Sequence, residues 1–241
     1  MNLKKFFSNF RRNVGMLRAV KLYSIGVNQE VIDRSELIDV LLEVCKTSFG
    51  EYPKEYDIYG PYGIRKGASV GLKAFRNKLA KFGHEKYHGL IGFTDNRFGF
   101  QLSFSHQIEK VSFSELIVWY SDKIDRKNFE DICQPLLETF NVSSGFEIDI
   151  PEDYSVSSET KIRRGWLSTS VVVSFEHKKW IKDVSEGCVR GLFRNNIFNR
   201  QQAENMKKIG IEGNFKFGEL SFVEIPDEND LKRKRKLLDD M

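Results

Sequence analysis

Residues 87–104 constrain the fold most, because apolar and polar side chains alternate there on both sides of a short polar break. The break is Asp95-Asn96, two residue types that tolerate positive φ and suit a two-residue turn. A turn at this point pairs Phe93 with Phe98, and directly opposed residues of a hairpin share one face. That face would carry Tyr87, Ile91, Phe93, Phe98, Phe100, Leu102 and Phe104. The sequence therefore predicts an antiparallel hairpin with one buried face.

Other segments carry their own start and stop signals. A helix is predicted from Asp33 or Ser35, another over 69–82 with Gly83 after it, and a third over 199–208 with a capping box of Asn199 and Gln202. A helical stripe over 129–140 contains Pro135, which predicts a kink or an early break there. Strands are predicted over 116–120, 146–150, 165–175 and 215–225, a last helix after Asp227, and an irregular loop over 50–67. Hairpins and helices without strict alternation indicate an α+β fold with a mostly antiparallel sheet.

The N-terminal residues 3–22 follow a helical period and carry no acidic side chain. They predict a basic amphipathic helix. The apolar positions are Leu3, Phe6, Phe7, Phe10, Val14 and Leu17, and the basic ones include Lys4, Lys5, Arg11 and Arg12. We therefore divide the chain into a helical segment over 1–24 and a single α+β domain over 25–241. Such a helix can dock on its own domain, lie on an anionic membrane surface or bind a partner.

The composition indicates the cellular compartment of the protein but says little about its activity. The three cysteines, Cys45, Cys133 and Cys188, are widely spaced and form no C-x-x-C pair, which favours a reducing compartment over a disulfide framework. Apolar runs fall short of the roughly 20 residues of a membrane span, and the N-terminus lacks a signal-peptide pattern. We expect a cytoplasmic protein. The net charge of +4 is too small to imply a polyanionic partner by itself.

Residues 84–88 spell H-E-x-x-H, a pattern similar to that of zincin metallopeptidases. On a helix, His84 and His88 would bind one zinc ion while Glu85 activates a water molecule. Gly83 and a further glycine flank the motif, however, and the predicted hairpin makes His88 the entry to a strand. In a strand the two histidines would lie ~13 Å apart, too far to share an ion. We favour a simple helix–strand connection without a metal or other cofactor, and zinc hydrolysis remains the alternative.

A five-residue basic run lies close to the C-terminus. It consists of Lys232, Arg233, Lys234, Arg235 and Lys236, and acidic residues flank it on both sides. The run could contact nucleic acid or an anionic membrane, together with the basic N-terminal segment. Acids early and bases late also suit the dipole of one solvated helix, which is the interpretation we favour.

A polar cluster with two phenylalanines predicts the best contact surface. Arginines and aromatic side chains are the types that protein interfaces favour. The candidate binding residues are Arg190, Phe193, Arg194, Asn195, Asn196 and Arg200. Together with the 50–67 loop, they would form a protein-binding site.

The C-terminal third resembles small α+β immunity proteins that bacteria pair with polymorphic toxins. The resemblance rests on Gly165-Trp166-Leu167 after a polar loop, and on residues 189–193 leading to the helix at Asn199. It implies a non-enzymatic protein that neutralises a toxin inside the cell. Our leading hypothesis is a protein-binding domain of this type, and the alternatives are a zinc hydrolase and a nucleic-acid or membrane adaptor.

Overall fold

The computed structural model describes residues 15–26, 32–59, 69–83, 87–95, 97–108, 111–151, 160–164, 169–173, 184, 186–189, 191–215 and 217–239. The strands are β1 (Met16–Ile25), β2 (Glu55–Tyr59), β3 (Gly89–Thr94), β4 (Phe98–Ile108), β5 (Val111–Ser121), β6 (Ser144–Pro151), β7 (Thr160–Arg164), β8 (Thr169–Val173), β9 (Asn195–Phe198), β10 (Asn214–Phe215) and β11 (Ser221–Glu224). The helices are α1 (Arg34–Phe49), α2 (Leu72–Phe82), α3 (Phe129–Cys133), α4 (Arg200–Lys207) and α5 (Glu228–Asp239).

Nine strands form one sheet in the order β10-β11-β9-β6-β1-β5-β4-β3-β2, and every neighbouring pair is antiparallel. Strands β7 and β8 form a separate two-stranded sheet. The predicted α+β fold with a mostly antiparallel sheet is thus confirmed. None of the helices within the described ranges is long and apolar enough to cross a membrane.

The two faces of the sheet bury different sets of side chains. The front face packs against α1, α2 and α3, and its aromatic residues from β4 and β5 include Phe98, Phe100 and Tyr120. The back face of the central strands carries a second apolar cluster, including Ala19, Ile117 and Trp119. Helices α4 and α5 cover the back face of β9 and β11. The front face of β9, β10 and β11 continues beyond α3, where the polar concavity described below begins.

The predicted hairpin exists, but its register differs by one residue. Asp95 adopts a left-handed φ of 44°, and Thr94, not Phe93, lies opposite Phe98. The connection therefore spans three residues instead of two. Because side chains alternate along a strand, this shift moves Ile91 and Phe93 to the back face, where they pack against the cluster around Trp119. The predicted apolar residues of β4, Phe98, Phe100, Leu102 and Phe104, lie on the front face as predicted.

The predicted N-terminal helix is wrong over residues 16–22, which belong to β1. This strand pairs with β5 on one side and with β6 on the other, at the centre of the sheet. Leu17 and Val20, which helical spacing places on one side, lie in different apolar clusters on opposite faces. A strand buried on both faces lacks the polar–apolar alternation that would reveal it. Residues 3–14, including Lys4, Lys5, Arg11 and Arg12, lie outside the described residues.

Most local signals specify the observed elements. The Asp33 carboxylate accepts hydrogen bonds from the N–H groups of Ser35 and Glu36 at 2.9 and 3.1 Å, as the predicted cap requires. Both bonds of the Asn199–Gln202 capping box are present. The 129–140 stripe breaks at Pro135, where α3 gives way to a 3-10 turn over Gln134–Leu136.

Two loop and strand boundaries differ from the prediction. The predicted loop over 50–67 contains strand β2, which pairs with β3. The predicted strand over 215–225 is two short strands, β10 and β11, joined by a turn in which Phe217 and Gly218 have φ angles of 61° and 67°.

Candidate protein-binding concavity

The structure brings three of the predicted contact residues to one polar concavity. Arg194 directly precedes β9, and Asn195 and Asn196 begin that strand. The concavity has a volume of about 420 Å³ and is lined by residues 126–130, 194–196, 214 and 222–224. Its floor is the front face of the short strands β9, β11 and β10, and one wall is the segment that leads into α3. The lining carries three basic side chains and four asparagines, so it is predominantly polar.

A buried carboxylate supports the edge of this concavity. The side chain of Glu147, on β6, is only 4% exposed. Its Oε2 accepts a hydrogen bond from Nη2 of Arg126 at 2.6 Å and another from Nδ2 of Asn195 at 2.5 Å. A buried charge is tolerated when it is paired and hydrogen-bonded. Glu147 thus holds two lining side chains in fixed positions from beneath.

Tyr120 contacts both Glu147 and the wall of the concavity formed by residues 126–130. Its hydroxyl lies 3.5 Å from Oε1 of Glu147 and accepts a hydrogen bond from the Lys127 N–H at 3.3 Å. Burial raises the pKa of the Tyr120 hydroxyl, and the neighbouring Glu147 charge raises it further. Tyr120 therefore remains a neutral phenol at physiological pH and connects the wall to the sheet.

Arg18 lies on the front face beside this group, opposite Tyr120 in the β1–β5 ladder. Its Nε is 3.7 Å from the Asp149 carboxylate, which is 61% exposed. Its Nη1 is buried and has no hydrogen-bond partner among the described residues. Arg18 thus lies on the same face of the sheet as Glu147 but does not line the concavity.

The approach to β9 is fixed by a local hydrogen-bonded loop. The Asn196 side chain accepts a hydrogen bond from the Phe193 N–H at 2.9 Å and donates one to the Phe193 carbonyl at 2.7 Å. The Phe193 ring stacks on Phe146 at a centroid distance of 4.1 Å. Arg235 of α5 lies over the Phe193 ring, with its Cζ 5.9 Å from the ring centroid. Asn196 and Phe193 thus have structural contacts that set the position of Arg194 and Asn195.

Of the other three predicted contact residues, Phe193 packs on Phe146 and is not part of the lining, and the remaining two are Arg200 and Arg190. Arg200 is exposed at the start of α4, where it forms surface ion pairs with Glu219 and Glu204 at 3.3 and 3.8 Å, and it does not line the concavity. Arg190 lies outside the described residues.

Sequence reasoning missed the second wall of the concavity and its support. Arg126, Asn128 and Asn214 were not singled out, because each stands alone among ordinary loop residues. In the predicted strand over 146–150, Glu147 alternates with apolar residues, a pattern typical of a solvent-facing position.

The H-E-x-x-H segment is only partly described. His84 and Glu85 lie outside the described residues, while α2 ends at Phe82 and Gly83 has a φ of 85°. His88 is extended: its N–H donates to the Tyr59 carbonyl and its carbonyl accepts from the Phe104 N–H, both at 2.9 Å. The chain at His88 therefore continues the sheet. No cluster of three or more histidine, cysteine, aspartate or glutamate side chains suited to a metal ion occurs in the described ranges.

Helix α5 neutralises much of the C-terminal basic run with its own acids. Arg233 and Lys234 pair with the Asp230 carboxylate at 2.7 and 2.9 Å, and the Lys232 ammonium lies 4.0 Å from Glu228. Arg235 instead donates a hydrogen bond to the Leu192 carbonyl at 2.7 Å. These contacts agree with the solvated helix that the charge order favoured.

A second, more apolar concavity of about 740 Å³ lies at the C-terminal end of β1. Its lining includes Ile25, Val111, Leu137, Val142 and Phe217. It contains none of the predicted contact residues.

Comparison with known proteins supports the architecture. No family model and no curated protein matches the chain. Among solved structures, the Pseudomonas aeruginosa T6SS protein PA0821 is similar over 100% of this chain and 81% of its own, with a TM-score of 0.54 and 8% identity. A similarity at this level of identity concerns the fold, and the two chains share the α+β architecture.

Proposed function

We propose that this chain is a non-enzymatic, intracellular protein-binding domain of the immunity type, which neutralises a toxin by binding it. Its contact site is the polar concavity, with Arg194 and Asn195 on one side and Arg126 on the other. The observation that carries this proposal is the buried Glu147, which holds Arg126 and Asn195 through hydrogen bonds of 2.6 and 2.5 Å.

The physical argument concerns the entropy of binding. Long polar side chains lose rotamer freedom at an interface, at a cost of about 0.5–1.5 kcal/mol for each immobilised side chain. Arg126 is already held by Glu147 while 35% of its side chain stays exposed. Arginine held in this way is a typical hot-spot residue of protein interfaces. The concavity is thus preorganised for a partner.

Two further observations support this choice. Residues 189–193, which carry part of the resemblance to immunity proteins, precede β9 and α4 in the chain, next to the concavity. The similarity in fold to a T6SS protein is compatible with the same role. Arg190, and Arg200 at the exposed start of α4, remain predicted contacts.

Co-expression with the neighbouring gene tests the proposal, since immunity proteins are encoded beside their toxins. We expect that the product of that gene arrests growth of a host cell and that this chain restores growth. Arg194→Ala should weaken the rescue. Arg97→Ala is the matched control, because Arg97 is also a surface arginine paired with a glutamate, Glu51, at 2.8 Å.

The complex itself provides the second readout. Purified chain and neighbouring gene product should co-elute, and Arg194→Ala should raise the dissociation constant while Arg97→Ala leaves it unchanged. A neighbouring product that neither arrests growth nor binds the chain contradicts the immunity function.

A further inference from the structure

We propose that the polar concavity binds a carboxylate of the protein partner, an aspartate or glutamate side chain, with Arg126 as the central contact. This inference rests on the proposed function and adds the chemistry that the partner must present. It depends on the hydrogen-bond donors of the lining arginines: some are already bound within the protein, and others remain accessible to a partner.

Arg126 keeps most of its donors for a partner. A guanidinium group has five N–H donors in a planar fork, which matches a carboxylate in two-point geometry. Within the described part of the chain, the hydrogen bond of Arg126 runs from Nη2 to Glu147. With 35% of the side chain exposed, the remaining donors are accessible from the concavity.

Arg194, the other arginine of the lining, has a weak partner that a ligand can displace. Its Nε lies 3.8 Å from a Glu224 carboxylate that is 62% exposed. Exposed ion pairs at such distances contribute little. Arg194 can therefore add to the attraction of an incoming anion without losing a strong bond.

The rest of the site favours one negative charge over two. Glu147 beneath the wall and Glu130 and Glu224 in the lining repel a doubly charged phosphate more than a carboxylate. The planar carboxylate also fits the fork of Arg126, and Lys127 next to it adds a point charge. We therefore assign the site to an acidic side chain and not to a phosphorylated group.

Solution NMR of the uniformly 15N-labelled full chain tests this assignment with three probes. They are the blocked tripeptide Gly-Glu-Gly, the matched Gly-Gln-Gly and inorganic phosphate. We expect the glutamate peptide to shift the signals of residues 126–130 and 194–196 in a saturable way. The glutamine peptide should bind at least about tenfold more weakly, because it forms no charge-assisted hydrogen bonds.

Two variants separate binding from folding. Arg126→Gln should abolish the saturable shifts, but it also leaves Glu147 buried without its cation. The double variant Arg126→Gln with Glu147→Gln removes both charges, so it should keep the fold and still fail to bind the glutamate peptide. Arg76→Gln is the control, since Arg76 pairs with exposed Asp39 at 3.2 Å and does not line the concavity.

Each remaining outcome contradicts the inference. Equal shifts with the glutamine peptide show that charge is not recognised, stronger binding of phosphate identifies a different anion site, and an absence of shifts with any probe excludes the site. None of these results affects growth rescue by the wild-type chain. Conversely, saturable carboxylate binding by a chain that fails to rescue growth rejects the immunity function alone.

Discussion

Glu147 and Arg126 form an ion pair in which one partner is buried and the other is at the surface. The Nη2–Oε2 distance is 2.6 Å, and the exposed fractions of the side chains are 4% for Glu147 and 35% for Arg126. Because of this asymmetry, the loss of Glu147 and the loss of Arg126 have different consequences. Without Glu147, Arg126 can turn to water, whereas without Arg126 the Glu147 charge stays buried.

Arg126→Gln should therefore lower the free energy of unfolding by about 2 kcal/mol, less than for a fully buried pair because Arg126 is partly exposed. Glu147→Gln should cost about 1 kcal/mol, since the new amide oxygen still accepts the Asn195 hydrogen bond. Urea unfolding at neutral pH measures both values. A double variant that is no more stable than Arg126→Gln alone would contradict the idea that the unpaired carboxylate causes the loss.

The observed register of the hairpin makes Gly92→Ala a sensitive substitution. Gly92 lies opposite Phe100 on the front face, and a Cβ there would be 2.6 Å from Phe100 Cε1 and 3.0 Å from Tyr56 Cε1. Both rings are buried, so the added methyl group must displace packed atoms. We expect a loss of about 2 kcal/mol in the free energy of unfolding.

Gly71→Ala is the matched control, because no atom lies within 4 Å of a Cβ built there. Its effect should be well below that of Gly92→Ala, as thermal or urea unfolding can show. In the register predicted from the sequence, Ile91 would oppose Phe100 and Gly92 would lie on the other face. Similar stabilities of the two alanine variants would therefore favour the predicted register over the observed one.

Local sequence signals predicted much of the fold, but they did not determine the register of the hairpin or the central position of β1 in the sheet. The caps at Asp33 and Asn199 and the break at Pro135 depend on neighbouring atoms, so the sequence reveals them. The one-residue shift of the hairpin depends on Asp95 taking a left-handed conformation in a three-residue connection. Strand β1 depends on two partners distant in sequence, and its apolar residues satisfy a helical period equally well over a short stretch.

The candidate site was predictable on the side where its residues are adjacent in sequence. Arg194, Asn195 and Asn196 form a visible polar cluster, and they do lie together in the concavity. Arg126 and Glu147 reach the same place from a loop and from another strand. That arrangement requires the pairing of β6 with β9, which brings Glu147 opposite Asn195 and which no local pattern encodes.

Alkaline pH should destabilise the protein through its buried cysteine thiols. Burial raises the pKa of the Cys45 thiol from 9.0 to about 12 and also raises the pKa of Cys133. Between pH 9.0 and about pH 12, the unfolded chain releases the Cys45 proton and the folded chain keeps it. The free energy of unfolding therefore falls as the pH rises above 9.0. The full slope for one such group is about 1.4 kcal/mol per pH unit. Urea unfolding from pH 8 to 10.5 should show this decline, and Cys45→Ala should reduce its slope. An unchanged slope in the variant would exclude Cys45 as a cause.

The same burial predicts the reactivity of the thiols. Cys45 and Cys133 are buried and protonated, whereas Cys188 is exposed. Because the thiolate is the reactive species, a thiol reagent should modify only Cys188 in the native protein at neutral pH. Denaturant should release the other two, as absorbance or mass spectrometry can count. Cys188→Ser should abolish the native reaction, and rapid modification of Cys133 in the folded chain would contradict its burial.

Asp230 should control how strongly the C-terminal helix interacts with polyanions. Hydrogen bonds from Arg233 and then from Lys234 lower the pKa of its carboxyl group, so Asp230 stays charged and neutralises both side chains at physiological pH. Asp230→Asn removes that charge and leaves the two cations available to a ligand. We expect the variant to elute from heparin at a higher salt concentration than the wild type, because additional cations release more counterions from the polyanion. Asp39→Asn, which also removes a carboxylate paired with an arginine but lies on α1, is the matched control. Equal elution of the wild type, Asp230→Asn and Asp39→Asn would show that the basic run of α5 does not contact the polyanion. If the wild type binds heparin strongly and deletion of residues 231–241 abolishes that binding, the nucleic-acid alternative would be restored.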